Sequence, residues 1–396
     1  MPRNASVRAR SFAADHRSAY SHQTLHTKKT INAVAAPRSN SAPRFRETEF
    51  ADYAGIMSLL ARHGLSTPGI EQWKYLWLGN PSYTRQCPLG WVMEVDDKLV
   101  GYFGNIPLAY ELEGQQVRAA SGRGWAVDQD YRSFSLYLLH AFFSQSETDL
   151  LLNTTANVRG EAAFCSLGGV PAPNEINQES AFWITDATGF SELFLRRKGV
   201  PFHSVLKYPV AAAASVLQHI RQGAPGKMQV ERFAGFDENF DRFWNKLRNE
   251  KRAVLLGRRD RATLAWHFHY ALKKNNCWIF GVVQGRELLA YAVFDRTQHR
   301  ELGLQRMRLV DYQSLADLQP LAAIISLAIR CAKEAGIHMV EVAGCRIEAR
   351  VKKELAPFTR PIRATCLYRA PYKALAAQLA NPARWDTSLY DGDSSL

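Results

Sequence analysis

One hairpin occurs twice in this chain, and no other feature limits the fold as strongly. Gly90 to Val95 alternates as a strand, Asp96-Asp97 makes a tight turn, and Leu99 to Tyr110 reads as the return strand. Much later, Trp278 to Val283, the turn Gln284-Gly285 and Leu288 to Phe294 repeat the pattern, with GRELLAY answering DKLVGY. The segments before each hairpin also correspond. Asp52 to His63 spaces its apolar residues as a helix capped by Gly64, and a second helix after Pro68 carries Trp73, Tyr75 and Trp77. Phe236 to Leu247 and the stretch Leu264 to Phe268, preceded by Asp260-Arg261, hold the same places in the second unit. Helices followed by a hairpin, given twice, imply an α+β protein of two tandem units with mostly antiparallel sheets.

Each hairpin runs on into a third strand and a strand-to-helix junction. In the first unit Glu113-Gly114 turns the chain into Val117 to Val127, and the polar turn Asp128-Gln129-Asp130 leads to Tyr131-Arg132. From Phe134 the chain is apolar at helical spacing through Leu136, Leu138, Leu139 and Phe142, with His140 on the surface side. Such a junction leaves helix-opening N–H groups facing outward, where an anion can sit. Leu150 to Thr154 is a further strand, Asn157 to Leu167 a helix stopped by Gly168-Gly169, and Ala181 to Ile184 more strand. The second unit offers Arg306 to Val310, a helix from Leu321 to Ala335 ended by Gly336, Val340 to Val342, a helix from Arg346 to Leu355, and Ala364 to Tyr368. At its junction Asp311 and Asp317 would repel a phosphate.

These segments set the expected boundaries: a disordered basic tail over 1–43, a first domain over 44–205, a linker over 206–225, a second domain over 226–375 and a loose polar, acidic tail over 376–396. Residues 190–225 read as a connector with a helix over Ala211 to Ile220. The formal charge is +13, and residues 1–43 hold seven Lys or Arg against the single acid Asp15. That balance suits a polyanion, a multiply phosphorylated cofactor included. Cys87, Cys165, Cys277, Cys331, Cys345 and Cys366 lie far apart with no CxxC, which points to a reduced, cytoplasmic setting and against structural zinc. His267 and His269 have no nearby ligand partner, so no metal is expected. No apolar run is long enough to span a membrane. A G-x-S-x-G elbow, a Walker loop and a dinucleotide fingerprint are all missing.

The stretch VDQDYRSFSLYLL resembles the acyl-coenzyme A signature of the GCN5-related N-acetyltransferases (GNAT), and the helix from Asn157 with Phe164, Leu167 and Gly168 resembles that family's second junction. The resemblance implies a tandem GNAT arrangement with acetyl-coenzyme A, or another acyl-coenzyme A, as co-substrate bound in the first copy. Trp125, Ala126 and Val127 would line its pantetheine arm. Arg132, Ser133, Phe134, Ser135, Leu136 and Tyr137 would form the pyrophosphate turn, with Asn157 and Phe164 at the thiol end. Ser135 and Tyr137 stand where the family prefers small residues, and Phe164 stands for its usual tyrosine acid. No carboxylate lies between Ser121 and Trp125, which leaves Asp128 and Glu94 as candidate bases and Cys165 as a candidate acid. The implied activity is acetyl transfer by direct attack of a primary amine of a small molecule or amino-sugar, with the second copy shaping the acceptor pocket. Two alternatives stay open: a non-catalytic acyl-coenzyme A sensor or scaffold, and a FemAB-like aminoacyl transferase, the one reading in which nucleic acid is a partner.

Overall fold

The computed structural model describes residues 42–173, 179–221, 228–299, 301–315, 320–343, 349–355, 357–362 and 366–396. The expected 1–43 tail, Gly223 to Gly226, Asp317 and Cys345 therefore lie outside the described residues, save for the last two residues of that tail. The first half runs β1 (Arg44–Glu47), α1 (Tyr53–Arg62), α2 (Ile70–Leu78), β2 (Gly90–Val95), β3 (Lys98–Leu112), β4 (Gln115–Val127), α3 (Ser135–Phe143), β5 (Leu150–Asn153), α4 (Val158–Ser166) and β6 (Val170–Pro171). After it come β7 (Glu179–Ile184), α5 (Ala187–Arg197), α6 (His203–Arg221), β8 (Val230–Phe233), α7 (Glu238–Glu250), β9 (Leu256–Gly257) and α8 (Arg261–Lys273). The chain ends with β10 (Cys277–Gln284), β11 (Glu287–Gln298), β12 (Gln305–Ser314), α9 (Leu321–Glu334), β13 (Met339–Val342), α10 (Ala349–Leu355), β14 (Phe358–Pro361), β15 (Leu367–Arg369) and α11 (Lys373–Leu379).

Local chemistry explains most of these limits. Asp96 and Asp97 both take positive φ in the first hairpin turn, and Gly64 and Gly336 do so past the ends of α1 and α9. Asp260 accepts the Thr263 N–H at 2.8 Å and starts α8, as Asn157 starts α4 by accepting from Gly160 at 2.9 Å. In α7, Phe240, Phe243, Trp244 and Leu247 recur at i, i+3, i+4 and i+7, and all four are buried. Trp77 is fully buried and donates its indole N–H to the Asn105 carbonyl at 2.7 Å, so its large apolar area is removed from water with its one donor satisfied.

The two halves form two mixed, mostly antiparallel sheets of the same design. One has the order β1-β2-β3-β4-β5-β15-β6, with β9 also on β3; the other reads β8-β10-β11-β12-β13-β7-β14. In each, one parallel pair interrupts the antiparallel ladder: β4 with β5, and β12 with β13. The duplication extends to irregularities. A bulge falls at Val100 in β3 and at Leu289 in β11, and those residues' carbonyls accept from Asp128 (2.8 Å) and Leu315 (3.0 Å) respectively.

Several expectations need correction. Ala181 to Ile184 was expected to stay with the first copy and Ala364 to Tyr368 with the second. Instead β7 pairs with β13 and β14, while β15 pairs with β5 and β6, so the copies exchange a strand. The stretch expected as a connector with one helix over Ala211 to Ile220 holds two helices up to Arg221, α5 and an α6 that already begins at His203. Leu136 does not join the apolar stripe of α3: it is 42% exposed, and Leu138, Leu139, Phe142 and Phe143 face the core. His267 and His269 lie on α8, with His267 buried against Tyr390 and the His269 ring 4.6 Å from that of Tyr75.

The largest difference is at the end of the chain. The stretch expected as a loose acidic tail is packed: Trp385, Tyr390, Asp391 and Asp393 are all buried. Its aromatic residues supply the apolar area that a solvated tail would lack, with Trp385 against Tyr368 and Tyr390 against Phe268. No helix among the described residues is long and apolar enough to cross a membrane.

Candidate functional site

The parallel contact of β4 with β5 is short, covering only Ala119 to Ser121 against Leu150 to Leu152. Beyond it β4 continues to Val127 while β5 stops at Asn153, so the strands part. At the point of parting, the Ser121 hydroxyl is buried without a hydrogen-bond partner. The opened edge of β4, Gly122 to Trp125, faces a cavity of about 410 Å³. Leu60, Trp73 and Leu76 from α1 and α2 line it, as do Asn153, Thr155, Ala156 and Asn157. Within this edge the ladder skips. Arg123 pairs with Gly104 and Ala126 with Tyr102, so Gly124 and Trp125 together oppose Phe103. Gly124 takes φ +67°, which a side chain would disfavour, and the bulge interrupts the β3–β4 ladder at this point.

The end of the chain completes the wall. Asp393, Ser394 and Leu396 line the same cavity. Arg123 donates to the carbonyls of Asp393 (3.0 Å) and Leu396 (2.7 Å), and its guanidinium lies 3.8 Å from the Asp393 carboxylate. Thr155 donates to Asp393 at 3.1 Å and Thr154 at 3.2 Å. Close approach of the two segments requires Gly392, which has φ +81° and where a Cβ would sit 2.3 Å from the Thr154 hydroxyl. Burial pushes the Asp393 carboxyl above the ordinary carboxylate range, and neither Arg123 nor the two threonines offset it. Tyr102 also lines the cavity, and burial raises its phenol to about 12, so it keeps its proton at neutral pH.

No family model and no curated protein matches the sequence. Solved structures do match in fold. N-myristoyltransferase of Saccharomyces cerevisiae with bound myristoyl-CoA superposes with a TM-score of 0.56 at 13% identity, over 84% of this chain and 79% of that one. A GCN5-related N-acetyltransferase from Anabaena variabilis gives 0.51 at 13% identity, covering 83% and 73%. A probable N-acyltransferase from Enterococcus faecalis gives 0.53 at 9% identity, again over 83% and 73%. The fold is GNAT-like, in two copies.

In the second GNAT-like copy the matching place is filled. Aligning the bulges at Val100 and Leu289 sets Tyr102 opposite Tyr291 in the repeat and Gly104 opposite Val293, whose ladder partners are Arg123 and Asp311. Asp311 was expected at the strand-to-helix junction, where it would repel a phosphate; it lies inside β12 and is fully buried. Arg259, itself 1% exposed, donates to it at 3.0 Å, and Tyr291 donates at 2.7 Å. Ser388 from the end of the chain donates to it as well, at 3.2 Å. Burial pushes the Asp311 carboxyl up, but Arg259 outweighs that and holds it below the usual range. Where Arg123 lines a cavity in the first copy, the second holds a buried ion pair.

The candidate residues are distributed unevenly around the cavity. Trp125 and Asn157 line it, whereas Ala126 and Val127 are buried at the strand end. Arg132 and Ser133 are exposed on a 3-10 turn, Gln129–Phe134, that runs directly into α3. The Ser135 N–H is used by the Arg132 carbonyl within that turn. Leu136 is exposed too, and Tyr137 points outward and packs against Phe45 and Phe134. Asp128 ties α1 to the strand end. Burial raises its carboxyl, but Arg62 (2.8 Å) and His63 (3.2 Å) draw it below the ordinary range. Glu94 is paired with Arg46 at 2.9 Å on β2, away from the cavity lining, and Cys165 is exposed on α4.

Phe164 is fully buried with its ring edge-on to Phe143 at 4.7 Å, and Gly169 leaves the room it needs. Its ring belongs to the core. Phe164→Tyr is therefore expected to give no gain in turnover. Should the hydroxyl find no partner, it would cost about 1–3 kcal/mol of stability, read from the urea midpoint.

Arg123, Asp393, Tyr102 and the threonine pair Thr154-Thr155 did not stand out in the sequence. The one available signal is compositional: after Arg384 the chain has no Lys or Arg, yet it combines Trp385, Leu389 and Tyr390 with three aspartates.

Proposed function

We propose that the first copy is an acyl-coenzyme A-dependent N-acyltransferase acting on a primary amine, with acetyl-coenzyme A as the simplest donor and a small molecule or amino-sugar as the acceptor class. The observation that carries this reading is the parting of β4 and β5 over a bulged, glycine-lined edge, with the buried Asp393 carboxylate lining the same cavity beside Arg123. The acyl end of the donor would enter this cavity, whose lining mixes apolar residues such as Leu60, Trp73 and Leu76 with polar ones such as Asn157 and Asp393. Acyl-coenzyme A would supply an activated thioester. The bulge N–H groups at Gly124 and Trp125 polarise its carbonyl. Asp393, with its raised pKa and its position in the cavity, takes the proton of the attacking amine. The new bond is C–N and the bond broken is C–S; the buried Tyr102 phenol is the hydroxyl available to protonate the departing sulfur. At the phosphate end, the Arg132 guanidinium and the Ser133 hydroxyl are the exposed groups offered.

Calorimetric titration of acetyl-coenzyme A into the full chain tests this. One-to-one binding is expected, weakened about tenfold or more by Arg132→Glu through loss of a charge-assisted phosphate contact. Thiol should be released in the presence of an accepting amine. No binding by the parent would sink the proposal, and binding without thiol release across an amine panel would favour a sensor.

A further inference from the structure

We propose that the tip of the α5–α6 hairpin seats the protein on an anionic lipid surface. The hairpin leaves the second sheet after β7, and its tip is apolar where a soluble loop would be polar. Phe202, Val205, Leu206 and Pro209 recur at i, i+3, i+4 and i+7, the spacing by which a helix addresses a core. Here that stripe faces solvent: Phe202 is 80% exposed, Val205 66% and Leu206 41%, with Tyr208 at 61% and Phe194 at 47% beside them. Phe202 also holds φ +56°, a conformation that a bulky side chain rarely adopts. The turn thus keeps a large ring turned to solvent at a local conformational cost.

The charges around the tip select the occupant. Arg196, Arg197 and Lys198 end α5 in direct sequence, and all three are exposed. The nearby acids are engaged elsewhere: Glu192 accepts from Lys207 at 2.7 Å, and Asp186 caps α5 through the Gly189 N–H at 2.9 Å. Cations bordering a protruding apolar stripe are the arrangement of an interfacial helix, with the ring and aliphatic groups at the headgroup boundary and the cations on anionic headgroups. The overall charge of +13 adds long-range attraction. This proposal stands apart from the acyl-transfer reading and does not depend on it.

The test is flotation of the full chain with phosphatidylcholine vesicles and with vesicles that also contain phosphatidylglycerol. The parent is expected to float with the anionic vesicles only, and less so as salt is raised. The uncharged double change Phe202→Ser/Val205→Ser is expected to weaken this at least about tenfold, from the apolar area withdrawn. Arg196→Glu/Arg197→Glu should weaken it as well, while the melting temperature of both variants stays that of the parent. Every variant keeps the basic residues 1–43, so their contribution is constant. Failure of the parent to bind anionic vesicles overturns the proposal. So does binding by both variants equal to the parent, and so does a concentration-dependent dimer that the Phe202→Ser/Val205→Ser change abolishes while vesicle binding persists.

Discussion

Arg259→Met is expected to lower stability by about 3–5 kcal/mol, the range for breaking a buried ion pair from one side. Arg259 is 1% exposed and gives three hydrogen bonds to Asp311 at 3.0–3.2 Å and one to the Gly257 carbonyl at 2.7 Å. Its guanidinium lies 4.5 Å from the Tyr390 ring centre and 3.7 Å from the Asp391 carboxylate. Methionine would leave Asp311 charged in the interior with, among the described residues, Tyr291 and Ser388 as its side-chain donors. The double variant Arg259→Met/Asp311→Leu should recover much of the loss, because the cost lies in the stranded charge. The loss also carries a pH signature. In the parent, Asp311 is held below its ordinary pKa, so this contribution is present above the unfolded carboxylate range and fades as pH falls through the depressed value. The gap between parent and variant should therefore narrow in acid. Urea unfolding across pH measures this; a single variant within 1 kcal/mol of the parent at neutral pH would refute it.

Asp393→Asn is expected to lower kcat/KM by about 10²–10⁴-fold, the usual range for a positioned general base. Asparagine keeps an oxygen for the hydroxyls of Thr154 and Thr155, so the wall of the cavity should survive. The parent profile of kcat/KM should rise with pH through a value above the ordinary aspartate range, and the variant should lose that limb. Stability should move the other way. A carboxyl with a raised folded pKa contributes stability that is present below the unfolded value and lost as pH rises through the folded one. At neutral pH the buried charge is a cost, and removing it should leave the protein at least as stable as the parent. Loss of activity with stability retained separates a chemical role from a structural one. A variant that keeps both its rate and its acid limb would remove Asp393 from the mechanism.

Both variants bear on one segment, since the residues that follow Trp385 meet Arg259 through Tyr390 and Asp391, meet its partner Asp311 through Ser388, and meet Arg123 through Asp393. Burial pushes His267 down to about 3, so it stays neutral there, and it shares a 2.7 Å hydrogen bond with Ser395. The filled site of the second copy thus helps hold the strip of chain that furnishes a wall of the first copy's cavity.

The hairpins, the helices ahead of them and the strand-to-helix junction were all legible in the amino-acid order. Each depends on interactions a few residues long: alternation in Gly90 to Val95, paired aspartates at the turn, Asp260 three residues from the N–H it caps. The repeat of GRELLAY and DKLVGY added the tandem design, because two copies of one local pattern make two sheets of one kind. What only the tertiary structure decided is which distant pieces meet. Strands as short as β15, three residues long, carry no sign of which sheet they will join, so the exchange of β7 and β15 was invisible. Asp393 sits in a polar stretch that resembles a solvated tail, 270 residues beyond the Arg123 it answers. A carboxylate becomes a candidate base only when folding buries it in a cavity and raises its pKa, and that burial is a property of the assembled walls, not of the tail's own residues.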